Sequence, residues 1–254
     1  MDRLDPSEMA IAGVDVRVVE SCPSTNTELM QLAQPARPVL LAAGRQTAGR
    51  GRRGRRWHSR AGHGITFSLA RRIARPAREL AALSLVAGVA AATALRRLGA
   101  AASLKWPNDL IAGEAKLGGI LVETRMNGGA ALAVIGIGIN YLPDRALQRR
   151  LRRPLASLAG LVSPLPERNL VIRGIAQELM QALDRFERGG LAALREEWLA
   201  LDGQAGQRLK VKLADGRTVS GIASGLAEDG ALRLRTRAGM RAIRSGQVML
   251  SRPA

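Results

Sequence analysis

Apolar and polar residues recur in short strand-like runs over the first 140 residues of the chain. The predicted strands are Val14–Glu20, Val39–Ala43, Ile65–Ala70, Ser103–Trp106, Leu117–Glu123 and Ala130–Asn140. Apolar residues at helical spacing, together with long alanine-rich apolar runs, predict helices over Glu28–Ala33, Glu79–Leu98, Leu170–Phe186 and Leu191–Leu201. Strands therefore dominate the first half of the chain, and helices dominate the residues that follow it.

The pattern changes again after a glycine-rich break at 203–206. Apolar residues then recur at every second position, as in Leu209, Val211 and Leu213, and Asp-Gly pairs mark turns at 215–216 and 229–230. These features predict a small all-β module, a barrel of SH3-like size. We expect one domain over residues 1–204 and a second over residues 205–254.

One segment, residues 44–64, contains almost no apolar side chain and cannot contribute to a core. Its sequence, GRQTAGRGRRGRRWHSRAGHG, holds six glycines and seven arginines, and no acidic residue occurs between Glu28 and Glu79. Glycines let backbone N–H groups approach an anion, and arginines donate bidentate hydrogen bonds to carboxylates or phosphates. Predicted strands flank this basic loop, so we expect a mobile lid over a site for a negatively charged ligand.

Two other interpretations of the basic loop follow from its composition. Arginine–glycine runs also occur in segments that bind nucleic acid without a catalytic site. Gly49, Gly51 and Gly54 match the dinucleotide-binding fingerprint, which requires a helix after it and an acidic residue about 20 positions on. Here a predicted strand follows and residue 74 is alanine, so a Rossmann-type site is excluded.

The overall composition restricts the remaining classes of protein. Of the 254 residues, 46% are hydrophobic, which is enough to build a core. The single cysteine, Cys22, excludes an internal disulfide and a cysteine-cluster metal site. Two histidines, His58 and His63, are too few for a histidine-ligated metal. We find no signal-peptide pattern and no run of about 20 apolar residues. We therefore expect a soluble, cytoplasmic protein that does not enter a membrane.

The net charge of +18 is weak evidence for nucleic-acid binding, because arginine is used throughout the chain. Of the 39 basic residues only four are lysine, namely Lys105, Lys116, Lys210 and Lys212. An ammonium is a compact charge and a guanidinium is a planar fork, so the two are not interchangeable. The retained lysines therefore mark candidate functional positions.

Four segments, taken together, carry a resemblance. They are Ser24-Thr25-Asn26, the loop sequence GRQTAGRGRRGRRW, the pair KWPND and KLGGILVE, and VIGIGIN. In this order and spacing they resemble biotin–protein ligases, which activate biotin with ATP and attach it to a carrier lysine. The resemblance runs over roughly residues 14–250. It implies an α+β fold, in which a mixed β-sheet catalytic domain packed by helices, like that of class II aminoacyl-tRNA synthetases, precedes an SH3-like barrel.

The start of the chain departs from one branch of that family. The first predicted strand begins near residue 14, which leaves no room for the winged helix-turn-helix of members that also repress transcription. The chain therefore resembles the shorter, ligase-only members, and we expect no DNA-binding domain.

The resemblance also implies a role for each matching residue. Biotin binding is implied for Ser24, Thr25, Asn26, Gln46, Arg50, Gly51, Arg52, Lys116, Gly118 and Gly119. Binding of ATP or the adenylate is implied for Arg52, Trp57, Lys105, Asn108, Asp109, Lys116 and Asn140. The expected catalytic residues are Lys116, Arg52 and Asp109, and Asp109 is also the candidate ligand of Mg²⁺.

The chemistry accounts for these residue types. A biotin carboxylate must approach the α-phosphorus of ATP, so positive charge from Lys116, the basic loop and Mg²⁺ would stabilise the meeting of two anions. The acyl-adenylate hydrolyses readily, which requires a lid that excludes water. A carrier lysine then attacks the acyl carbon, and Asp109 is the hypothetical group that orients or deprotonates it.

Four matters stay open at this point. A lipoate or octanoate ligase shares the fold, although Ser24, Thr25 and Gln46 suit the polar ureido ring of biotin better. A basic nucleic-acid-binding protein is the alternative from another class. The implied protein partner is the biotin carboxyl carrier domain of a carboxylase, which the basic chain would suit if that domain is acidic. If the chain forms a homodimer, paired sheet edges near Ala130–Asn140 are the candidate interface.

Overall fold

The computed structural model describes residues 3–32, 35–151 and 153–250, and its larger part is a seven-stranded sheet. In chain order the strands are β1 (Asp15–Cys22), β2 (Val39–Gln46), β3 (Gly64–Ile73), β4 (Ser103–Lys105), β5 (Asp109–Ala112), β6 (Ala115–Asn127) and β7 (Ala130–Asn140). Across the sheet their order is β1-β2-β3-β7-β6-β5-β4. β1 and β2 are parallel and the other neighbours are antiparallel, which confirms the expected mixed sheet.

Helices lie on both faces of this sheet. They are α1 (Thr25–Met30), α2 (Leu83–Arg97), α3 (Arg145–Leu151), α4 (Arg168–Gly189) and α5 (Arg195–Leu201). α2 and α4 pack on each other and share the main core with the sheet. α1 packs on β2, β3 and β7 around a smaller apolar cluster that includes Leu29, Leu41 and Val134.

The apolar stretch Ala77–Arg97 is the central helical element of the core. Its first part, Ala77–Ala82, is a 3₁₀ segment, so the helix predicted over Glu79–Leu98 is regular only from Leu83 onward. By length and composition the stretch would cross a membrane, but 72% of its most apolar window is buried inside the protein, as in a core helix.

Alternate residues of the central strands face two different environments. Phe67 and Leu69 of β3 and Ile137 of β7 belong to the main core under α2 and α4. Because successive side chains of a strand point to opposite faces, Ser68 and Gly138 lie on the face that α1 covers. This second face is polar or bare where the first is filled with aliphatic side chains.

The second part of the chain is a five-stranded antiparallel sheet with the order β11-β10-β9-β8-β12. Its strands are β8 (Arg208–Lys212), β9 (Thr218–Leu226), β10 (Leu232–Thr236), β11 (Gly239–Ile243) and β12 (Gln247–Leu250). Leu209 and Val211 point inward and are fully buried. The predicted all-β module is therefore confirmed.

The two parts share one hydrophobic core. Residues of both belong to the same cluster, and the indole Nε1 of Trp106 donates to the Gly230 carbonyl oxygen at 3.1 Å. The division of the chain at residues 204 and 205 remains a prediction.

Three expectations about elements differ from the structure. β7 is an internal strand, paired with β3 on one side and β6 on the other, so Ala130–Asn140 offers no free sheet edge and the expected dimer interface there is wrong. α1 begins at Thr25 and not at Glu28, while Ala33 lies outside the described residues. α3 was not predicted, because its seven-residue sequence RALQRRL is mostly polar and carries only the short apolar pair Leu147 and Leu151.

Candidate active site

The floor of the candidate site is a patch of bare backbone on β6 and β7. Gly119 and Gly138 are opposite each other in the register of the two strands, and Gly136 is opposite Leu121. A Cβ at Gly138 would overlap the indole ring of Trp57, and a Cβ at Gly136 would overlap the amide of Asn26. These glycines are required because neighbouring side chains lie directly on the strand backbone.

A cleft of about 310 Å³ lies above this floor. α1, the basic loop, the β4–β6 hairpins and β12 of the barrel surround it. It brings together most of the expected site residues, namely Ser24, Thr25, Asn26, Gln46, Arg50, Gly51, Arg52, Trp57, Lys105, Asn108, Asp109, Lys116 and Gly119. Residues from four segments of the chain therefore line one cavity.

A buried polar network forms the wall of the cleft at the start of α1. The backbone N–H and the hydroxyl of Thr25 donate to Gln46 Oε1 at 2.8 Å and 3.1 Å. The Thr25 and Ser68 hydroxyls are 2.6 Å apart, and Ser68 Oγ donates to Asn26 Oδ1 at 2.6 Å. All four side chains are at most 8% exposed.

These hydroxyls do not cap the helix. Ser24 occupies the N-cap position of α1, but no side-chain hydrogen bond caps that end. Their hydrogen bonds run across the cleft wall instead, where they fix the orientation of the Thr25, Asn26 and Gln46 side chains. A preorganised set of donors and acceptors is suited to a neutral polar ligand group.

The basic loop is folded back on itself. Gly51 N–H donates to the Arg55 carbonyl oxygen at 2.7 Å, and Trp57 N–H donates to the Gly49 carbonyl oxygen at 2.9 Å. A Cβ at Gly49 would lie 2.6 Å from the Trp57 carbonyl oxygen, so this close return of the chain requires glycine. The expected mobility of the loop stays a prediction.

Glu123 attaches the basic loop to the sheet. Its Oε1 accepts from Arg50 Nη2 at 2.7 Å, and its Oε2 accepts from Asn26 Nδ2 at 3.0 Å. Arg50 also donates to the hydroxyl of Thr27 at 3.1 Å. One carboxylate therefore bridges the loop and α1.

No role in the site was assigned to Glu123 or Ser68 from the sequence. Both are at polar positions of apolar strands, on the same face as the floor glycines. An acid or hydroxyl in a largely apolar strand is the signal that the sequence contains, but the strand pairing is needed to assign a role to either residue.

Positive charge concentrates where β5 and β6 meet. Lys116 Nζ forms an ion pair with Asp109 Oδ1, and Arg52 Nη1 donates to Asn108 Oδ1 at 3.4 Å. Burial lowers the pKa of Lys116 and of Lys105, and Asp109 opposes this by favouring both charged forms. Burial also lowers the pKa of Arg52, with nearby Arg53 acting in the same direction. An anionic ligand bound beside Lys105, Lys116 and Arg52 would stabilise their charged forms, which burial has partly removed from water.

Trp57 separates this cleft from a second cavity. Its ring lies on Gly138, and within the residues that the structure describes its buried Nε1 has no hydrogen-bond partner. The second cavity, of about 370 Å³, lies between the basic loop and α3. The indole N–H of Trp57 is thus a buried donor whose hydrogen bond is unmade in the protein alone.

Two expected site residues are outside the main cleft. Asn140 borders the second cavity, and its Nδ2 donates to the carbonyl oxygens of Lys116 and Ala156 at 2.9 Å and 3.0 Å. A Cβ at Gly118 would lie 2.6 Å from the Gly138 carbonyl oxygen, so this glycine allows close strand packing. Gly119 is therefore better placed than Gly118 to contact a ligand.

Asp109 alone is a poor resident metal site. No group of three or more His, Cys, Asp or Glu residues that could hold a metal ion is found among the described residues, and Asp109 is paired with Lys116. Mg²⁺ usually binds through one or two carboxylates together with substrate phosphates. The donor set fits a metal ion that enters with a nucleotide.

Comparison with known proteins defines the class. Residues 17–140 match the Biotin/lipoate A/B protein ligase family, and residues 205–251 match the Biotin protein ligase C terminal domain. The chain is 36% identical over 225 residues to the bifunctional ligase/repressor BirA of Escherichia coli (strain K12), covering 87% of this chain and 70% of that protein. The chain therefore belongs to the biotin/lipoate A/B protein ligase family.

Two further similarities are to biotin ligases. The chain is 35% identical to the biotin–[acetyl-CoA-carboxylase] ligase of Paracoccus denitrificans, covering 89% of this chain and 96% of that protein. Its fold matches biotin protein ligase from Aquifex aeolicus in complex with biotin and ATP, with a TM-score of 0.79, 27% identity and coverage of 94% and 99% of the two chains. The resemblance found in the four sequence segments is confirmed.

We expect Gly138→Ala to displace Trp57, because the added Cβ would overlap its ring. Overpacking of this kind costs about 1–3 kcal/mol. The melting temperature should fall, and quenching of tryptophan fluorescence by acrylamide should increase, since Trp106 and Trp198 are buried elsewhere. Gly174→Ala in α4, where nothing lies within 4 Å, should leave both unchanged or raise stability. Unaltered quenching in Gly138→Ala would contradict the proposed packing.

We expect Glu123→Gln to release the basic loop, because the ion pair with Arg50 is lost. A partly exposed pair contributes about 0.5–1 kcal/mol, so trypsin should cleave within residues 44–64 about two- to fivefold faster. Glu197→Gln breaks the Arg185 ion pair in the helical region and is the matched control. Equal cleavage rates in the two variants would show that Glu123 does not hold the loop.

Proposed function

We propose that this protein activates biotin with ATP as biotinyl-5'-AMP and transfers the biotinyl group to a lysine of a biotin carboxyl carrier domain. One observation carries the proposal. The bare floor at Gly119 and Gly138 lies in a single cleft with the Thr25–Gln46 hydrogen-bond network and with the cations at Lys116 and Arg52. A ligand with a neutral polar ring, a flat aliphatic tail and a carboxylate fits that order of environments.

The first step joins two anions. A carboxylate oxygen of biotin attacks the α-phosphorus of ATP, the bond from that phosphorus to the bridging oxygen breaks, and pyrophosphate leaves. Lys116 and Arg52 neutralise the charge that develops there, and ATP enters as its magnesium complex, whose metal adds positive charge. Burial disfavours the charged forms of Lys116 and Arg52 in the protein without substrates. Binding of the anionic reactants compensates those charges and is therefore favourable.

The second step uses the acyl-adenylate before water reaches it. The amine of the carrier lysine attacks the acyl carbon, the bond from that carbon to the AMP oxygen breaks, and the amine loses a proton. The basic loop and Trp57 cover the floor and exclude water during this interval. Asp109 accepts that proton, or orients the amine, once the substrates have displaced its ion pair with Lys116.

The carrier and the location belong to the same proposal. The relative from Paracoccus denitrificans is named for acetyl-CoA carboxylase, which supports a carrier domain of that enzyme as the acceptor. The reaction would take place in the cytoplasm, where the protein would meet both ATP and this carrier.

The choice of acid is the first test. Purified protein with magnesium and ATP should release pyrophosphate on addition of biotin, and not on addition of lipoate or octanoate. Lipoate and octanoate lack the ureido ring, so they would leave the Thr25 and Gln46 network without a ligand partner. Each buried polar group left unsatisfied would reduce the binding free energy by about 1–3 kcal/mol. Lys116→Ala should slow release about 100-fold, as loss of a transition-state donor does elsewhere. Release with lipoate but not biotin would overturn the proposal.

The role of Asp109 is tested in the second step alone. Asp109→Asn should slow transfer from synthetic biotinyl-5'-AMP to a carrier domain about 100-fold, which is typical of losing a general base. Glu114→Gln, an exposed carboxylate of the neighbouring turn, is the control and should transfer normally. Normal transfer by Asp109→Asn would remove Asp109 from this step.

A further inference from the structure

Two of the four lysines, Lys210 and Lys212, do not line the cleft. Lys210 and Lys212 alternate along β8 with the buried Leu209 and Val211, and both are exposed. Residues two apart on a strand are about 7 Å apart and on the same face. The two ammonium groups therefore form a short row on the outside of the barrel, which we call the β8 strip.

The β8 strip begins at the mouth of the cleft. In the register of β8 and β12, Lys212 is opposite Gln247 and Lys210 is opposite Met249. Directly opposed residues of antiparallel strands point to the same face. Gln247 and Met249 line the cleft, and the side chain of Gln247 accepts a hydrogen bond from Arg55 of the basic loop. The face that carries the lysines is thus continuous with the rim of the site.

No acidic side chain neutralises the strip. β8, β9 and β12 contain no Asp or Glu, and the next strand presents Thr218 and Ser220 opposite the two lysines. The nearest acid in sequence, Asp215, is already paired with Arg217. Within residues 3–32, 35–151 and 153–250, neither ammonium group forms an ion pair or hydrogen bond.

We propose that Lys210 and Lys212 dock an acidic face of the acceptor protein while its target lysine enters the cleft. The inference rests on the proposed function, because the acceptor is a folded domain and its surface has to rest on the rim. Charge at the rim of an interface chiefly raises the association rate. The barrel has no aromatic residue after Trp198, so it offers no platform for stacking nucleic-acid bases.

The test compares two double variants of the full chain. Lys210→Glu with Lys212→Glu should raise the KM for a recombinant biotin carboxyl carrier domain of acetyl-CoA carboxylase about tenfold, through slower association. Pyrophosphate release with biotin and ATP in the absence of carrier should not change. Arg237→Glu with Arg241→Glu makes the same charge change near β11, at the other end of the strand order, and should leave the KM unaltered.

Each other outcome is decisive. An unchanged KM in the lysine variant, or a wild-type KM that does not rise with sodium chloride, overturns the docking strip while leaving biotin activation intact. Binding of duplex DNA that the lysine variant abolishes, with normal transfer to the carrier domain, would also overturn it. No pyrophosphate release by the wild-type protein would instead refute the proposed function. The double variant Lys210→Arg with Lys212→Arg, which conserves the charge, should keep the wild-type KM.

Discussion

The absence of side chains on one face of β6 and β7 is the constraint on which the rest of the site depends. Isoleucines fill the core from one face of β7, and strand geometry assigns Gly136 and Gly138 to the other. Trp57 and Asn26 then lie directly on the strand backbone, which fixes both the return of the basic loop and the start of α1. The cleft exists because these two segments rest on strand backbone that carries no side chain at Gly136 and Gly138.

Burial of positive charge is the second feature, because Lys116 and Arg52 are both partly withdrawn from water and Asp109 is the acid that favours both charged forms. Taking a cation out of water is costly unless an anion replaces the lost hydration. Asp109 supplies that anion for Lys116 in the protein alone, and both partners are only partly exposed. A ligand carboxylate or phosphate provides the same compensation, so the substrates and Asp109 compete for one cation. Under the proposed function, binding of the substrates would free the Asp109 carboxylate for the second step.

Much of this arrangement was predictable from local patterns, and the rest depended on register. The alternation in VIGIGIN predicted a strand, and the four segments taken together identified the family. The glycine-rich loop was placed correctly between two strands, while its action as a lid stays a prediction. The roles of Glu123 and Ser68 were not predictable, because each depends on which strand pairs with which. The helix α3 is short and buries none of its residues, so its apolar pattern is too brief to predict it. The placement of β7 inside the sheet follows from long-range pairing, which a strand pattern alone does not contain.

The basic loop also connects the two parts of the chain. Arg53 Nη2 donates to Ser245 Oγ at 3.3 Å, and Arg55 donates to the side chain of Gln247, while Arg50 contacts Glu123 of the sheet. One loop therefore contacts the sheet that forms the floor and the barrel that forms the rim. Because both contacts involve arginines of the same short segment, any movement of the loop would alter the floor and the rim together. Under the proposed function, this single element would govern both the protection of the reactive intermediate and the admission of the acceptor, which is a physical reason for the barrel to border the cleft.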